Sequence, residues 1–152
     1  MNFHIPKEAR YEIKFVAQEL EYHRLLQWLC MHTACFVKQH QDRQINNIYF
    51  DSHNYNAYNA NISGTSNRTK VRYRWYGQSF QPIEGALEIK CKRNFFSWKK
   101  IYTINKTLHR PDSTWRILHN DLTNLLPSEA KIWLNSHPLA VLINRYQRKY
   151  FK

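Results

Sequence analysis

The segment that most restricts the fold is residues 68–76, RTKVRYRWY, in which basic residues alternate with others. Strict alternation predicts a β-strand, because successive side chains of a strand point to opposite faces of its sheet. Lys70, Arg72 and Arg74 then share one face. The other face receives Val71, Tyr73 and Trp75. Cations about 6–7 Å apart on one face repel one another unless anions lie between them. The segment therefore predicts a sheet with a strongly basic face.

Two further segments repeat this pattern. Residues 86–93 alternate Glu88, Lys90 and Lys92 with apolar residues, and residues 8–16 place Glu12 and Lys14 on one face. A solvated polar face would explain any one such strand. Three strands with excess cations favour a curved sheet that turns its polar faces inward around a cavity, with helices covering the apolar faces. We expect Glu12 and Glu88 to offset the burial of charge there.

The remaining chain completes an antiparallel α+β domain, predicted as one domain over residues 1–152. Strands are predicted at residues 8–16, 45–50, 68–76, 86–93, 98–105 and 139–151. Residues 39–43 read as a polar connection. The first predicted helix covers residues 18–32, and a short second helix, capped by Asp51 or Ser52, ends at residue 58. A third helix, capped by Asp112 or Ser113, begins its apolar stripe at residue 115, and Ser128 is predicted to cap a fourth. Asp51 is interpreted as a helix cap rather than a catalytic acid.

Composition narrows the class of protein. The chain has 152 residues, 15% aromatic residues and a net charge of +12, a combination that excludes intrinsic disorder and indicates an anionic partner. No N-terminal apolar segment or membrane-spanning run is present, and three cysteines do not form a secreted disulfide framework. We expect a cytoplasmic protein, with a place at the cytosolic face of a membrane left open.

Phosphate is the anion that this array of Arg and Lys suits best. Only three glycines are present and no glycine-rich phosphate loop occurs, so side chains rather than backbone are expected to hold the phosphate. A nucleic-acid interface is the rival interpretation of the charge. It is disfavoured because Tyr73 and Trp75 point away from the basic face, where base stacking would need them.

Five segments together carry a resemblance to a known family. They are residues 10–15 (RYEIKF), 48–51 (IYFD), 70–77 (KVRYRWYG), 87–90 (LEIK) and 146–150 (YQRKY). In order and spacing they resemble the VTC domain, the polyphosphate polymerase domain of the triphosphate tunnel (CYTH-like) superfamily. The resemblance implies an antiparallel β-tunnel or barrel with helices packed outside, which binds triphosphate or polyphosphate.

The resemblance also implies an activity. A family member transfers the terminal phosphate of a nucleoside triphosphate to a polyphosphate chain with a divalent metal, Mn or Mg. Arg72, Arg74 and Lys90 are the implied catalytic residues, and Glu12 and Glu88 are the candidate metal ligands. The expected phosphate-binding residues are Lys14, Lys70, Arg72, Arg74, Lys90, Lys99 and Arg148. Lys99 and Arg148 rest on the resemblance alone.

Two departures from the family leave alternatives open. The family tunnel has eight strands, whereas six are predicted here, so we expect an incomplete tunnel that lacks its last strands. Asn105 stands where the family has a lysine, with Lys106 adjacent. The chain is therefore either a polymerase-type enzyme when complete or a non-catalytic module that senses polyphosphate or inositol phosphate. Exposed sheet edges favour self-association, and a membrane-protein partner fits the family.

Two cysteines and three tryptophans are assigned to the hydrophobic core. Cys30, His32 and Cys35 have no standard zinc spacing, so the two cysteines are predicted to be buried structural thiols. Trp28, Trp115 and Trp133 lie at helical core spacing and are predicted to be buried.

Overall fold

A curled antiparallel sheet forms the frame of the computed structural model, which describes residues 5–79, 84–108 and 114–152. Within these ranges the order of strands in the sheet is β1-β5-β4-β3-β2-β6. The strands are β1 (Arg10–Tyr11), β2 (Lys38–Asp51), β3 (Asn67–Tyr76), β4 (Gly85–Arg93), β5 (Phe96–Ile104) and β6 (Leu139–Phe151). The described sheet is open, with β1 and β6 at its edges, and the predicted α+β class is confirmed.

The strand register gives the sheet one polar and one apolar face. Lys70 of β3 lies opposite Lys90 of β4, and Arg72 lies opposite Glu88. Between them, Val71 pairs with Ile89 and belongs to the other face. Tyr73 and Trp75 are buried on that apolar face, as the alternation predicts.

Of the four α-helices in the described ranges, two cover the apolar face. Helices α3 (Trp115–Leu125) and α4 (Ser128–Ser136) follow α1 (Tyr22–Met31) and α2 (Asn56–Ile62) in the chain. The core residues that α3, α4 and their junction contribute are Leu118, Leu122, Leu126, Ala130 and Leu134. Burying these side chains against the sheet stabilises the fold by roughly 1.5–3 kcal/mol for each leucine.

The helix starts differ in part from prediction. Thr114 caps α3, since its Oγ1 accepts a hydrogen bond from the Ile117 N–H at 3.4 Å. The predicted caps Asp112 and Ser113 lie outside the described residues. Ser128 was expected to cap α4, and this is wrong. It is the first helical residue, and Pro127 occupies the cap position.

Asp51 accepts hydrogen bonds from the first turn of α2, as expected of a capping side chain, although Tyr55 occupies the cap position. Its Oδ1 accepts hydrogen bonds from the backbone N–H groups of Ser52 (2.7 Å) and Ala57 (2.9 Å), and its Oδ2 from Tyr58 (2.9 Å). The carboxylate is 1% exposed. It supplies acceptors to N–H groups that have no partner within the helix. Helix α2 is therefore held firmly against the end of β2.

Two predicted strands have the wrong length. Residues 8–16 form only the short β1, and the alternating residues beyond it, such as Phe15, remain exposed because no described element packs on them. Residues 39–43 were predicted as a connection but extend β2, because β6 pairs with β2 as far as Lys38. Their side chains are exposed, so polar residues are tolerated there.

Several residues assigned to the core are not buried. Trp28 and Trp115 are 56% and 50% exposed, whereas Trp133 packs against the core as predicted. Cys30 and Cys35 are also exposed, so their prediction as buried thiols is wrong. No residue of α1 is buried, and its apolar stripe remains partly or largely exposed. None of the helices in the described ranges is long and apolar enough to cross a membrane.

Candidate functional site

A basic cavity of about 520 Å³ opens on the polar face of the sheet. Strands β3 and β4 form its floor, and the segment after β1 forms one wall. Its lining residues are Tyr11, Glu12, Ile13, Lys14, Tyr49, Asn61, Arg68, Lys70, Arg72, Lys90, Lys92 and Phe95. Six of these side chains are basic and one is acidic. Such an excess of one charge around a concave surface attracts anions and concentrates them there.

Three lysines cross the sheet in one row. Lys70 lies opposite Lys90, and Lys90 lies opposite Lys99 on β5. Like charges at directly opposite positions destabilise a sheet. Glu12 pairs with Lys90 and Glu88 with Lys99, whereas no ion pair in the described part of the chain involves Lys70. The row therefore leaves positive charge that an anion can neutralise.

Repulsion between the like charges of this row affects the pKa of Lys70. Burial lowers the pKa of its ammonium group, and the charges of Arg68, Lys14, Lys90 and Arg72 lower it further. Both causes disfavour the charged form. A bound anion would relieve the repulsion, so Lys70 marks the part of the cavity where an anion gains most.

Glu12 is the acidic residue in the cavity lining. Its carboxylate accepts hydrogen bonds from Lys90 Nζ at 2.8 and 3.2 Å and from Ser97 Oγ at 3.1 Å, and Lys14 Nζ lies 3.4 Å away. The hydrogen bond from Lys90 lowers the pKa of Glu12 to about 2, against an opposing contribution from burial. The charges of Lys90 and Lys14 contribute to this lowered pKa in the same direction. Glu12 thus ties the segment after β1 to β4.

Replacing Glu12 with glutamine is expected to lower the free energy of unfolding by about 1 kcal/mol at neutral pH, a modest value because the pair is partly exposed and screened. A lowered folded-state pKa stabilises the protein above the unfolded value of 4.5, and this is lost as pH falls through about 2. The difference between the native protein and Glu12→Gln should therefore shrink across that window. Urea unfolding over a pH series measures it, and a constant difference would contradict the assignment.

Glu88 organises the deepest part of the polar face. It is 3% exposed, and Arg72 donates to its Oε2 from Nε (2.9 Å) and Nη2 (2.5 Å). Arg74 Nη1 and Lys99 Nζ lie 3.6 and 3.5 Å from Oε1. Burial raises the pKa of Glu88, but the charges of Arg72 and Arg74 outweigh burial and the pKa is lowered. Glu88 is therefore ionised and holds three cations in place.

Arg72 is the most firmly held cation in the cavity lining. Besides its bonds to Glu88, its Nη1 donates to the Tyr49 hydroxyl at 2.9 Å, and its guanidinium lies 5.8 Å from the Tyr49 ring centre. These contacts use three of the five N–H groups of the guanidinium and leave two for a ligand. Because its side chain is already ordered, Arg72 loses little conformational entropy when it binds an anion.

The structure brings most of the predicted site residues together. Lys14, Lys70, Arg72, Lys90 and Glu12 line the cavity. Lys99 and Glu88 lie outside the lining and contact each other at its margin. Asn105 and Lys106 are exposed after the end of β5.

Two predicted residues lie apart from the cavity. Arg74 is 5% exposed and donates from Nε to Asn47 Oδ1 at 2.9 Å, with the Tyr146 hydroxyl 3.4 Å from its Nη2. Arg148 is exposed on β6, with its guanidinium 4.9 Å from the Tyr150 ring centre. Their predicted roles in phosphate binding remain predictions.

Some lining residues were missing from the predicted set. Arg68 and Lys92 continue the alternation of the named cations, so the same pattern could have identified them. Tyr49 lies in the segment 48–51 that supports the family resemblance. Asn61 of α2 carries no such signal, because only the fold brings this helix over the polar face.

The candidate metal ligands do not form a metal site by themselves. Among the described residues no group of three His, Cys, Asp or Glu side chains is placed to hold a metal ion. The oxygens of Glu12 and Glu88 are engaged by basic side chains instead. The described donor set therefore suits an anion better than a cation.

Comparison with known proteins gives one match. The family model of the VTC domain matches residues 9–152, which include every strand described above. No curated protein and no solved structure matches the chain. The family match points to a function related to polyphosphate, in agreement with the basic cavity. The chain belongs to the VTC domain family.

Proposed function

We propose that the basic cavity binds the phosphates of a linear triphosphate or polyphosphate. The observation that carries this proposal is the row of Lys70, Lys90 and Lys99, which places three cations side by side with too few carboxylates to neutralise them. Phosphates in a linear chain repeat their charge at short intervals, as the cations of the row do. A single small anion would neutralise only one part of the lining.

In the proposed activity, the cavity also supports transfer of the terminal phosphate of a nucleoside triphosphate to a polyphosphate chain. Phosphoryl transfer depends mainly on positioning and on neutralising charge on the phosphate oxygens. Arg72, held by Glu88 and Tyr49, would clamp one phosphate with its remaining N–H groups. Lys70 and Lys90 would hold its neighbours. A divalent ion, Mn or Mg, would enter with the nucleotide and supply further charge neutralisation.

Binding without transfer is the second candidate function. It is favoured by the position of Arg74, which is buried against Asn47 and does not line the cavity. Of the three expected catalytic residues, only Arg72 and Lys90 line the cavity. A module of this kind would sense polyphosphate or inositol phosphate.

Incubation of the protein with ATP and manganese distinguishes the two functions. Transfer predicts that polyphosphate chains accumulate, and that Arg72→Ala abolishes their formation. Sensing predicts tight binding of tripolyphosphate with no chain formation. Absence of both binding and product would contradict both candidates.

Replacing Lys70 with methionine is expected to have opposite effects on stability and binding. Removing one cation from the row should raise the free energy of unfolding of the ligand-free protein by about 0.5–1 kcal/mol. Affinity for tripolyphosphate should fall about tenfold, because a charged hydrogen bond is lost. Urea unfolding and calorimetry measure the two effects. Lys131→Met on α4 is the control, expected to change neither strongly. A destabilised Lys70→Met variant that keeps its affinity would show that Lys70 serves the fold.

A further inference from the structure

A second cavity, of about 780 Å³, adjoins the basic cavity on the same side of the sheet. Its lining residues are Tyr49, Phe50, Asp51, Tyr55, Ala57, Tyr58, Asn59, Asn61, Lys70, Val141, Leu142 and Asn144. Three residues, Tyr49, Asn61 and Lys70, line both cavities. The two cavities therefore meet along β2 and α2, and a ligand in one can continue into the other.

The chemistry of the second cavity differs from that of the first. Three tyrosines contribute aromatic rings, and Lys70, at the shared boundary, is the basic residue of the lining. Asp51 is the acidic lining residue, and its oxygens are occupied by three backbone N–H groups. This cavity suits a flat, uncharged group joined to an anion.

The aromatic wall is held in place before any ligand binds. Asp51 anchors the first turn of α2, which carries Tyr58, and Tyr55 precedes that turn. Tyr55 has a φ of 53°, in the left-handed region that residues other than glycine rarely adopt. Strain of this kind persists where the surrounding structure imposes it, often at ligand sites. The rings of Tyr55 and Tyr58 are 51% and 61% exposed and remain available for stacking.

We propose that the second cavity binds the base of a nucleotide whose phosphates lie in the basic cavity. Bases stack on aromatic side chains with little dependence on their identity. The amides of Asn61 and Asn144 can hydrogen-bond the edge of a base, since Asn144 uses only its Oδ1 to accept from Asn47. From β4 to β6 the site spans three strand spacings, about 14 Å. This inference rests on the proposed binding of a nucleoside triphosphate and adds where its base lies.

Calorimetric titration of ATP and of tripolyphosphate tests the inference, because only ATP carries a base. Tyr58→Leu removes one ring and retains the helix, and Tyr55→Asn removes another with a residue that tolerates a positive φ. Each variant is expected to bind ATP about tenfold more weakly, and tripolyphosphate within twofold of the native protein. Tyr22→Leu, which changes a tyrosine of α1 outside both cavities, should leave both affinities unchanged.

The outcomes separate this inference from the proposed function. If neither ligand binds the native protein, the proposed function is overturned and the base site with it. If both bind and the tyrosine variants leave ATP affinity intact, the base site alone is overturned. Ethenoadenosine triphosphate provides a second measurement on the native protein that does not depend on the folding of a variant. Stacking should quench its fluorescence on binding, and unchanged emission at saturation would exclude the stacked base.

Discussion

Replacing Glu88 with glutamine is expected to lower the free energy of unfolding by about 3–5 kcal/mol. Glu88 is 3% exposed and neutralises Arg72, Arg74 and Lys99, two of which are themselves largely buried. Glutamine has a similar shape but no charge, so the guanidinium groups would lose their compensation within the sheet. The loss is therefore far larger than for an exposed ion pair.

Urea unfolding of Glu88→Gln and Glu129→Gln measures this difference. Glu129 of α4 pairs with Lys100 at an exposed position, and its replacement is expected to change the stability only slightly, because solvent screens the pair. Equal costs for the two variants would contradict the role of Glu88 as the centre of a buried network. A cost concentrated in Glu88→Gln supports that role without any assumption about ligands.

Replacing Arg72 with alanine is expected to weaken tripolyphosphate binding by about 10- to 100-fold. The estimate follows from hydrogen bonds to charged groups, which contribute about 1.5–3 kcal/mol. The affinity of Arg72→Lys for tripolyphosphate should lie between those of the native protein and Arg72→Ala, because lysine keeps the charge but lacks the planar set of donors. Calorimetry at one ionic strength measures all three affinities.

Arg116→Ala is the matched control for Arg72→Ala. Arg116 is exposed on α3, which covers the opposite face of the sheet, so solvent and salt screen its charge from the cavity. Its replacement should change the affinity less than twofold. Should Arg116→Ala and Arg72→Ala weaken binding equally, net charge alone would govern the affinity. In Arg72→Ala, Glu88 keeps Arg74 and Lys99 as partners, so the variant is expected to fold. Urea unfolding of the variant checks this.

The basic face was predictable because strand alternation is a local property. Lys70 and Arg72 line the cavity, and Tyr73 is buried on the other face, as the period of two requires. The lengths of β1 and β2 were not predictable in this way. They depend on which elements pair with them, and the exposed polar residues 39–43 join β2 only through β6.

How deeply each cation is buried could not be predicted from the sequence, because it depends on which strands lie beside it. Arg72 and Arg74 occupy equivalent positions in the alternation, yet only Arg72 lines the cavity. Arg74 lies where β2 and β6 supply Asn47 and Tyr146 as partners, and it is buried there. Aromatic residues in the basic cavity were not expected, because Tyr73 and Trp75 face away from it. Tyr49 brings an aromatic ring to the basic cavity from β2, a strand whose alternation carries no cations at the site.

Paired calorimetric titrations with tripolyphosphate and with a short single-stranded oligonucleotide, at equal ionic strength, test phosphate-chain binding most directly. Lys70 and Lys90 line the concave cavity, and Lys99 continues their row on β5, an arrangement that suits a narrow chain of phosphates. Tripolyphosphate is predicted to bind more tightly than the oligonucleotide, with an affinity that falls in Arg72→Ala. Tighter binding of the oligonucleotide would contradict the assignment and identify the basic face as a nucleic-acid surface.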